Sequence, residues 1–178
     1  NNGATWVGVA CLGEAIDLRE TGISAPILSL GYTPPWQARD AVRYDVSTTL
    51  YSLDLATALS RAAADLGRQA RVHVKVDTGM GRLGLWPDEV PSFVRATRAL
   101  PGLTVEGLFT HFATADAADL SYTREQLAAF RGVIAALRAE DLLPPLVHAA
   151  NSAAALGLNA RFTNRERSRN KWLSPAQA

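Results

Sequence analysis

Hydrophobic residues along the chain follow two alternating patterns: short continuous runs and longer segments with helical spacing. The runs predict six buried β-strands, at residues 5–12, 26–31, 46–50, 71–77, 103–111 and 146–149. Between them, apolar side chains recur every three or four residues and predict helices at 14–20, 36–44, 52–67, 88–100, from 123 onward, and 152–158. Six strand–helix repeats with short connections are typical of a parallel sheet in an α/β protein.

Capping residues predict where several of these helices begin and end. Ser52 is a candidate N-cap, and Gly67 follows the last residue of the same helix. Thr123 and Gln126 have the spacing of a capping box. Ser152 precedes an alanine-rich stretch and is the candidate N-cap of the last helix.

A parallel sheet can stay open as a doubly wound fold or close into a barrel. No G-x-G-x-x-G motif follows any predicted strand, which removes the best support for a dinucleotide-binding fold. The spacing of elements alone leaves both architectures open.

The strand at 71–77 has one apolar face and one ionisable face. The valines on the first face are Val72, Val74 and Val76, and the residues on the second are His73, Lys75 and Asp77. In a barrel, such a polar row faces the lumen and leads to a site at the carboxyl end of the strand. The alternative is an edge strand whose polar face is solvated.

The loop at 77–84 carries the first candidate for chemistry. Three glycines within six positions, at 79, 81 and 84, allow close backbone approach, and Arg82 lies among them. An arginine at this end of a barrel strand can bind a carboxylate or phosphate through two parallel hydrogen bonds. The alternative is a surface arginine on a glycine turn.

Three further candidates lie near the carboxyl ends of the last two strands. His111 and His148 are either hydrogen-bonded core residues or members of a site. Ser152 is either a simple N-cap or a phosphate ligand, because a helix N-terminus offers unpaired N–H groups.

Composition narrows the class of protein. The chain has 178 residues, 48% of them hydrophobic, and a formal net charge of +1, which argues against nucleic acid as the main partner. A single cysteine, Cys11, excludes an intrachain disulfide and a four-cysteine zinc site, and we expect no metal. No apolar run is long enough to span a membrane and no leader segment is visible, so we expect a cytoplasmic protein.

Three long motifs, at residues 75–84 (KVDTGMGRLG), 106–116 (EGLFTHFATAD) and 147–154 (VHAANSAA), resemble the N-terminal barrel domain of bacterial alanine racemases. The resemblance implies that residues 1–156 are a partial TIM (β/α)₈ barrel with about six of its eight units. It further implies binding of pyridoxal 5′-phosphate, a homodimer, and interconversion of L- and D-alanine, which supplies D-alanine for peptidoglycan. Residues 157–178 form a basic tail atypical of the family, expected to be disordered or aberrant.

The resemblance implies a role for each of several individual residues. Arg82 matches an arginine that contacts the cofactor's ring hydroxyl and the substrate carboxylate, and Lys75 matches a lysine, often carbamylated, that braces it. His111 matches a histidine packed on the pyridine ring.

Four more positions match residues around the cofactor. Asn151 and Ser152 match a pair beside the cofactor, with Ser152 on the phosphate. Leu30 matches a residue beside the ring, and His148 matches a histidine behind the site.

The chain also departs from the family pattern. The family's Schiff-base lysine lies on a strand that would precede Asn1, and its catalytic tyrosine lies in a C-terminal β domain without a counterpart here. We therefore expect the 178 residues as given to be inactive.

Three alternative functions stay open. Related barrels include racemases of serine or lysine. A second alternative is a non-catalytic remnant that binds pyridoxal phosphate. A third is nucleic-acid binding through the tail, where five basic residues could give only weak, salt-sensitive contacts.

Overall fold

A computed structural model describes residues 4–157 and 171–172 of the chain. The strands are β1 (Ala4–Val9), β2 (Ile27–Ser29), β3 (Ser47–Leu50), β4 (Ala70–Lys75), β5 (Leu103–Phe109), β6 (Leu146–His148) and β7 (Lys171–Trp172). The helices are α1 (Leu12–Glu20), α2 (Ala38–Arg43), α3 (Leu53–Leu66), α4 (Val90–Arg98), α5 (Ser121–Ala139) and α6 (Ser152–Gly157), with a 3₁₀ turn (Pro35–Gln37) before α2.

All strands of the described sheet are parallel, in the order β6-β5-β4-β3-β2-β1-β7. The six predicted strands are therefore neighbours in chain order, with no reversal. A doubly wound sheet reverses its order at a switch point, whereas a barrel adds each strand to the same side. The sheet is a curled half-barrel, which confirms the predicted partial TIM barrel and rules out the open alternative.

The outer face of the sheet forms the hydrophobic core with the helices. Val72, Val74 and Leu108 on this face are completely buried, and they belong to one cluster with apolar side chains of the helices, such as Leu59 and Phe130. Burial of each large apolar side chain contributes about 1.5–3 kcal/mol relative to exposure. The valine face predicted for residues 71–77 is confirmed, and it holds the helices against the sheet.

The inner face of β4 carries the polar row. β4 lies between β3 and β5 in the middle of the sheet, and His73, Lys75 and Asp77 are all buried. The alternative of a solvated edge strand is therefore wrong. These side chains lie on the face opposite the valines that pack against the helices, and the register pairs His73 with Thr49 and Gly107 on this inner face.

Two of the four expected caps are confirmed and two are wrong. Ser52 Oγ accepts a hydrogen bond from the N–H of Leu55, and Gly67 ends α3 in the left-handed conformation. No capping box forms at 123–126, because α5 begins at Ser121, whose N–H and O–H donate to the Asp119 carboxylate.

The last helix is capped by the residue before the expected one. Asn151 Oδ1 accepts from the N–H of Ala154 at 2.9 Å, so Asn151 is the N-cap of α6 and Ser152 is its first residue. A carboxamide oxygen satisfies the N3 amide as well as a hydroxyl does, which is why both residue types are common in this position.

The expected basic tail at 157–178 lies outside the described residues except for 157 and 171–172. Lys171–Trp172 forms the short strand β7 beside β1, an element that the sequence did not predict.

Candidate functional site

The predicted site residues lie at the carboxyl ends of the strands, which together form the mouth of the half-barrel. β4 leads into the loop 77–84, β5 leads to His111, and β6 leads to Asn151 and Ser152. Because β4, β5 and β6 are adjacent and parallel, these three segments meet at one edge of the sheet.

The Asp77 carboxylate organises the loop that carries Arg82. Its Oδ1 accepts from the N–H groups of Gly79 at 2.9 Å and Gly81 at 3.1 Å, and its Oδ2 accepts from the N–H of Arg82 at 3.2 Å. Burial opposes ionisation of Asp77, but these backbone hydrogen bonds outweigh it and lower the pKa of the carboxyl. An ionised Asp77 therefore acts as the internal template of the loop.

Glycine is required at two positions of this loop. Gly84 has a φ of +127°, and a Cβ there would lie 2.7 Å from the backbone nitrogen of Asp77. Gly79 has a φ of +126°, and a Cβ there would lie 2.4 Å from the hydroxyl of Tyr122. The glycine-rich sequence is thus explained by close backbone approach.

Neighbouring elements hold the same loop from outside. The hydroxyl of Tyr122, on α5, donates to the carbonyl oxygen of Gly79 at 2.7 Å. The hydroxyls of Thr78 and Thr110 are hydrogen-bonded at 2.8 Å and join the loop to the end of β5.

Arg82, Lys75 and His111 influence one another electrostatically. Burial lowers the pKa of Lys75, the positive charge of Arg82 lowers it further, and Asp77 offsets only part of the effect. Burial also lowers the pKa of His111, with smaller contributions from Lys75 and Arg82. The mouth therefore holds an exposed guanidinium, a buried amine and a neutral imidazole, a set that suits an anionic ligand.

Gln126 fixes the backbone next to His111. This buried side chain accepts from the N–H of Ala113 at 2.9 Å and donates to the carbonyl oxygen of His111 at 3.3 Å. The spacing of Thr123 and Gln126 predicted a capping box instead. These two hydrogen bonds could not be predicted from local spacing, because Ala113 and His111 lie 13 and 15 residues before Gln126.

Asn151 and Ser152 differ in their surroundings. Besides capping α6, Asn151 donates through Nδ2 to the carbonyl oxygen of Phe112 at 3.5 Å, which ties the end of β6 to the end of β5. Ser152 is exposed at the start of α6.

The remaining two predicted residues lie on the inner face of the sheet. Leu30 directly follows β2 and is 39% exposed. His148 ends β6, and its ring stacks on Phe109 with centroids 4.8 Å apart and planes 7° apart. Leu30 thus offers an apolar surface at the mouth, whereas His148 is packed below it.

The inner face holds two further residues, Glu106 and His73. The sequence predicted no role for Glu106 and only the orientation of His73. The ring of His73, predicted to face the lumen, is hydrogen-bonded to His148, and Glu106 lies against its other side. Glu106 had no predicted role, because its position depends on the pairing of β4 and β5 rather than on any local pattern.

The described residues contain neither a membrane-spanning helix nor a cluster of metal-binding side chains. No helix within 4–157 has the length and apolar character needed to cross a lipid bilayer. In the same part of the chain, no three His, Cys, Asp or Glu side chains are grouped so as to hold a metal ion.

Comparison with known proteins gives consistent results. The family model described as "Alanine racemase, N-terminal domain" matches residues 1–167. An alanine racemase of Desulfovibrio desulfuricans is 47% identical over 156 residues, covering 88% of this chain and 42% of the relative.

Solved structures give the same picture. An alanine racemase of Clostridium difficile in complex with cycloserine has a TM-score of 0.82 and 38% identity, covering 84% of this chain and 42% of that one. A histidine racemase of Leuconostoc mesenteroides has a TM-score of 0.77 and 31% identity, covering 86% and 41%. The chain thus spans about two fifths of the length of these proteins. Because the family model covers nearly all of its residues, the chain belongs to the alanine racemase family and corresponds to part of the N-terminal domain.

Proposed function

We propose that this chain forms the cofactor- and substrate-binding part of a pyridoxal 5′-phosphate-dependent alanine racemase. The observation that carries the proposal is that Arg82, on the loop held by Asp77, lies within electrostatic reach of Lys75 at the end of β4 and of His111 after β5. Family membership supports the same conclusion.

The residues present fit the cofactor by the chemistry of their donors. Pyridoxal phosphate and the alanine carboxylate are anionic, and the mouth presents Arg82 as an exposed cation beside the buried Lys75. The only carboxylate on this loop, Asp77, is ionised, but both of its oxygens are held by backbone N–H donors of the loop. An anion therefore meets little repulsion at the mouth.

Each residue has a defined task in this proposal. The Arg82 guanidinium binds the substrate carboxylate and the cofactor's ring hydroxyl. Lys75, converted to an anionic carbamate as in the family, braces that guanidinium by accepting its hydrogen bonds. Neutral His111 packs on the pyridine ring.

The other residues surround the same group. Ser152 and Asn151 contact the phosphate end, Leu30 covers an apolar edge, and His148 supports the site from below. The cofactor would supply the electron sink that stabilises the carbanion left when the α-proton departs.

We propose that the 178 residues by themselves bind the cofactor without racemising alanine. The homodimer and the cytoplasmic location implied by the family belong to the same proposal, as does the division into a barrel portion at 1–156 and a tail at 157–178.

The test uses the protein at its natural length, loaded with pyridoxal phosphate. Replacing Arg82 by Lys keeps the charge but removes the two-pronged geometry, so we expect the KM for alanine to rise about ten- to a hundredfold, since a charge-assisted hydrogen bond contributes about 1.5–3 kcal/mol. Arg61→Lys, at an exposed position on α3, is the matched control and should leave KM unchanged. Equal KM values for the two variants would contradict the role of Arg82.

A racemase of another amino acid is a second candidate, because the histidine racemase of Leuconostoc mesenteroides shares this fold at 31% identity. Assays on alanine, serine, lysine and histidine separate these substrates. We expect kcat/KM to be highest for alanine, and a preference for any other amino acid would replace the proposal.

A non-catalytic binding role is tested separately. If the natural-length protein retains pyridoxal phosphate on equilibrium dialysis but racemises none of these amino acids, the chain is part of a binding protein rather than of an enzyme.

A further inference from the structure

The first two turns of α5 contact both segments that present the candidate ligand-binding groups. These segments are loop 77–84, which carries Arg82, and residues 111–113, which begin with His111. Two side chains of α5 make the contacts, and because they are four residues apart they lie one turn apart on the same face of the helix. They are Tyr122 and Gln126, called the α5 pair below.

Both members of the α5 pair touch the same glycine of the loop. The hydroxyl of Tyr122 donates to the carbonyl oxygen of Gly79 at 2.7 Å. An ideal Cβ on Gly79 would lie 2.4 Å from that hydroxyl oxygen and 3.6 Å from Cγ of Gln126. The first distance leaves no room for a side chain, and the second is an ordinary van der Waals contact. The loop that carries Arg82 therefore packs directly on the α5 pair.

The amide group of Gln126 holds the second segment. Its Oε1 accepts from the N–H of Ala113, and its Nε2 donates to the carbonyl oxygen of His111. Both backbone groups lie beyond Phe109, the last residue of β5, where strand pairing no longer satisfies them. Gln126 is only 1% exposed, so an amide that lost these partners would be buried and unpaired. One side chain thus contacts the loop with its aliphatic stem and residues 111–113 with its amide.

The hydrophobic core fixes the position of the helix that carries the pair. Phe130 and Leu137, further along α5, are completely buried in the cluster between the helices and the sheet. Because a close-packed core resists displacement, α5 cannot follow either segment if that segment moves. The helix is therefore a rigid support for both.

We propose that Tyr122 and Gln126 are positioning residues that hold both ligand-binding segments on one support, so that the two segments loosen together rather than separately. Both residues act through backbone groups of the mouth. The catalytic side of this inference rests on the proposed function, because the positions of Arg82 and His111 matter for racemisation only if these groups bind the ligand. The mechanical coupling of the two segments does not depend on it.

Amide hydrogen exchange in the natural-length protein tests the coupling. Tyr122→Phe removes the hydrogen bond to the loop and keeps the ring, so protection of the Gly81 and Arg82 amides should fall about fivefold, as expected for one neutral hydrogen bond. Protection of the Ala113 amide, whose partner is Gln126, should fall about twofold or more, the lower end of the coupling between contacting residues.

Two outcomes of this comparison would overturn the proposal. If protection falls in the loop but not at Ala113, the two segments are held independently. If it falls at neither place, the hydroxyl of Tyr122 does not hold the loop. Amides in the middle of α3 serve as an internal reference for global unfolding.

A direct hydrogen bond between Thr78 and Thr110 also joins the loop to the end of β5, so its contribution is tested separately. Thr78→Val removes this hydroxyl bridge and leaves the α5 pair in place. The effect of Tyr122→Phe on the Ala113 amide should persist in the Thr78→Val background. Its disappearance would assign the coupling to the bridge and overturn the role of α5.

The KM for alanine gives the functional readout, in the natural-length protein loaded with pyridoxal phosphate. For Tyr122→Phe we expect KM to rise about two- to fivefold, because carboxylate binding by Arg82 requires an ordered loop. A side chain that only stabilised the fold would shift the urea midpoint and leave KM unchanged, and that result would overturn the positioning role.

Tyr44→Phe is the matched control for the exchange and KM measurements. It removes a tyrosine hydroxyl whose hydrogen bond to Glu20 lies at the amino ends of the strands, opposite the mouth, and it should change neither quantity. If the natural-length protein racemises no amino acid, the proposed function fails, whereas the exchange comparison still decides whether the α5 pair couples the two segments.

Discussion

Asp77→Asn is the sharpest perturbation of the loop that presents Arg82. The substitution preserves shape but removes the charge from three backbone hydrogen bonds. If the amide oxygen takes the place of Oδ1, the NH₂ group faces the N–H of Arg82, donor against donor. Hydrogen bonds to a charged acceptor contribute about 1.5–3 kcal/mol and neutral ones about 1 kcal/mol. One lost bond and two weakened ones therefore give a local loss of about 3 kcal/mol.

Amide hydrogen exchange measures this loss where it occurs. A change of about 3 kcal/mol corresponds to a roughly hundredfold drop in protection at the amides of Gly79, Gly81 and Arg82. In the proposed racemase, the KM for alanine should rise in parallel, because a loosened loop would bind the carboxylate poorly. Asp88→Asn, at an exposed position further along the chain, is the control and should change neither quantity.

The pH dependence of the same contact has a defined sign. The folded-state pKa of Asp77 lies below its ordinary value of 3.8, so its stabilisation is complete above that value and is lost as the pH falls through the lowered pKa. The difference in unfolding free energy between the unsubstituted protein and Asp77→Asn should thus shrink below about pH 4. If Asp77→Asn matches the Asp88→Asn control in exchange, KM and pH dependence, the carboxylate is not the template of the loop.

Two further substitutions test the packing behind the site. Gly107→Ala should lower the free energy of unfolding in urea by about 1–3 kcal/mol, because the new Cβ would lie 2.2 Å from His73. The control is Gly132→Ala, at an open position on the surface of α5, which should raise the free energy of unfolding by about 0.5–1 kcal/mol. Equal effects of the two substitutions would show that the His73 ring does not need the space left by Gly107. Gln126→Leu should lower the free energy of unfolding by about 2 kcal/mol in the same assay, because it removes the hydrogen bonds to the backbone of His111 and Ala113. The control Gln69→Leu, at an exposed position, should change the free energy of unfolding by less than about 0.5 kcal/mol. A Gln126→Leu variant of unchanged stability would show that these two hydrogen bonds are dispensable.

The helix caps show which contacts can be predicted from local sequence spacing and which cannot. Ser52 and Gly67 act as predicted because their partners lie within four residues and depend on the helix alone. Thr123 and Gln126 fit a capping box equally well by spacing. The structure gives Gln126 other partners, because the backbone between His111 and Ala113 passes close enough to accept and donate hydrogen bonds.

Local sequence patterns were sufficient to predict the strand–helix alternation, the valine face and polar face of β4, and the positions of Arg82, His111 and Asn151 near strand ends. Each of these follows from a period of two or 3.6 residues, or from the common edge that parallel strands share. The order of the strands in the half-barrel, the hydrogen bonds of Asp77 to its loop and the contacts of His73 with Glu106 and His148 depend on how the chain folds. The β-bulge in the pairing of β4 with β5, which brings Glu106 onto the inner face, is a property of two paired strands 33 residues apart, and no periodicity within one strand encodes it.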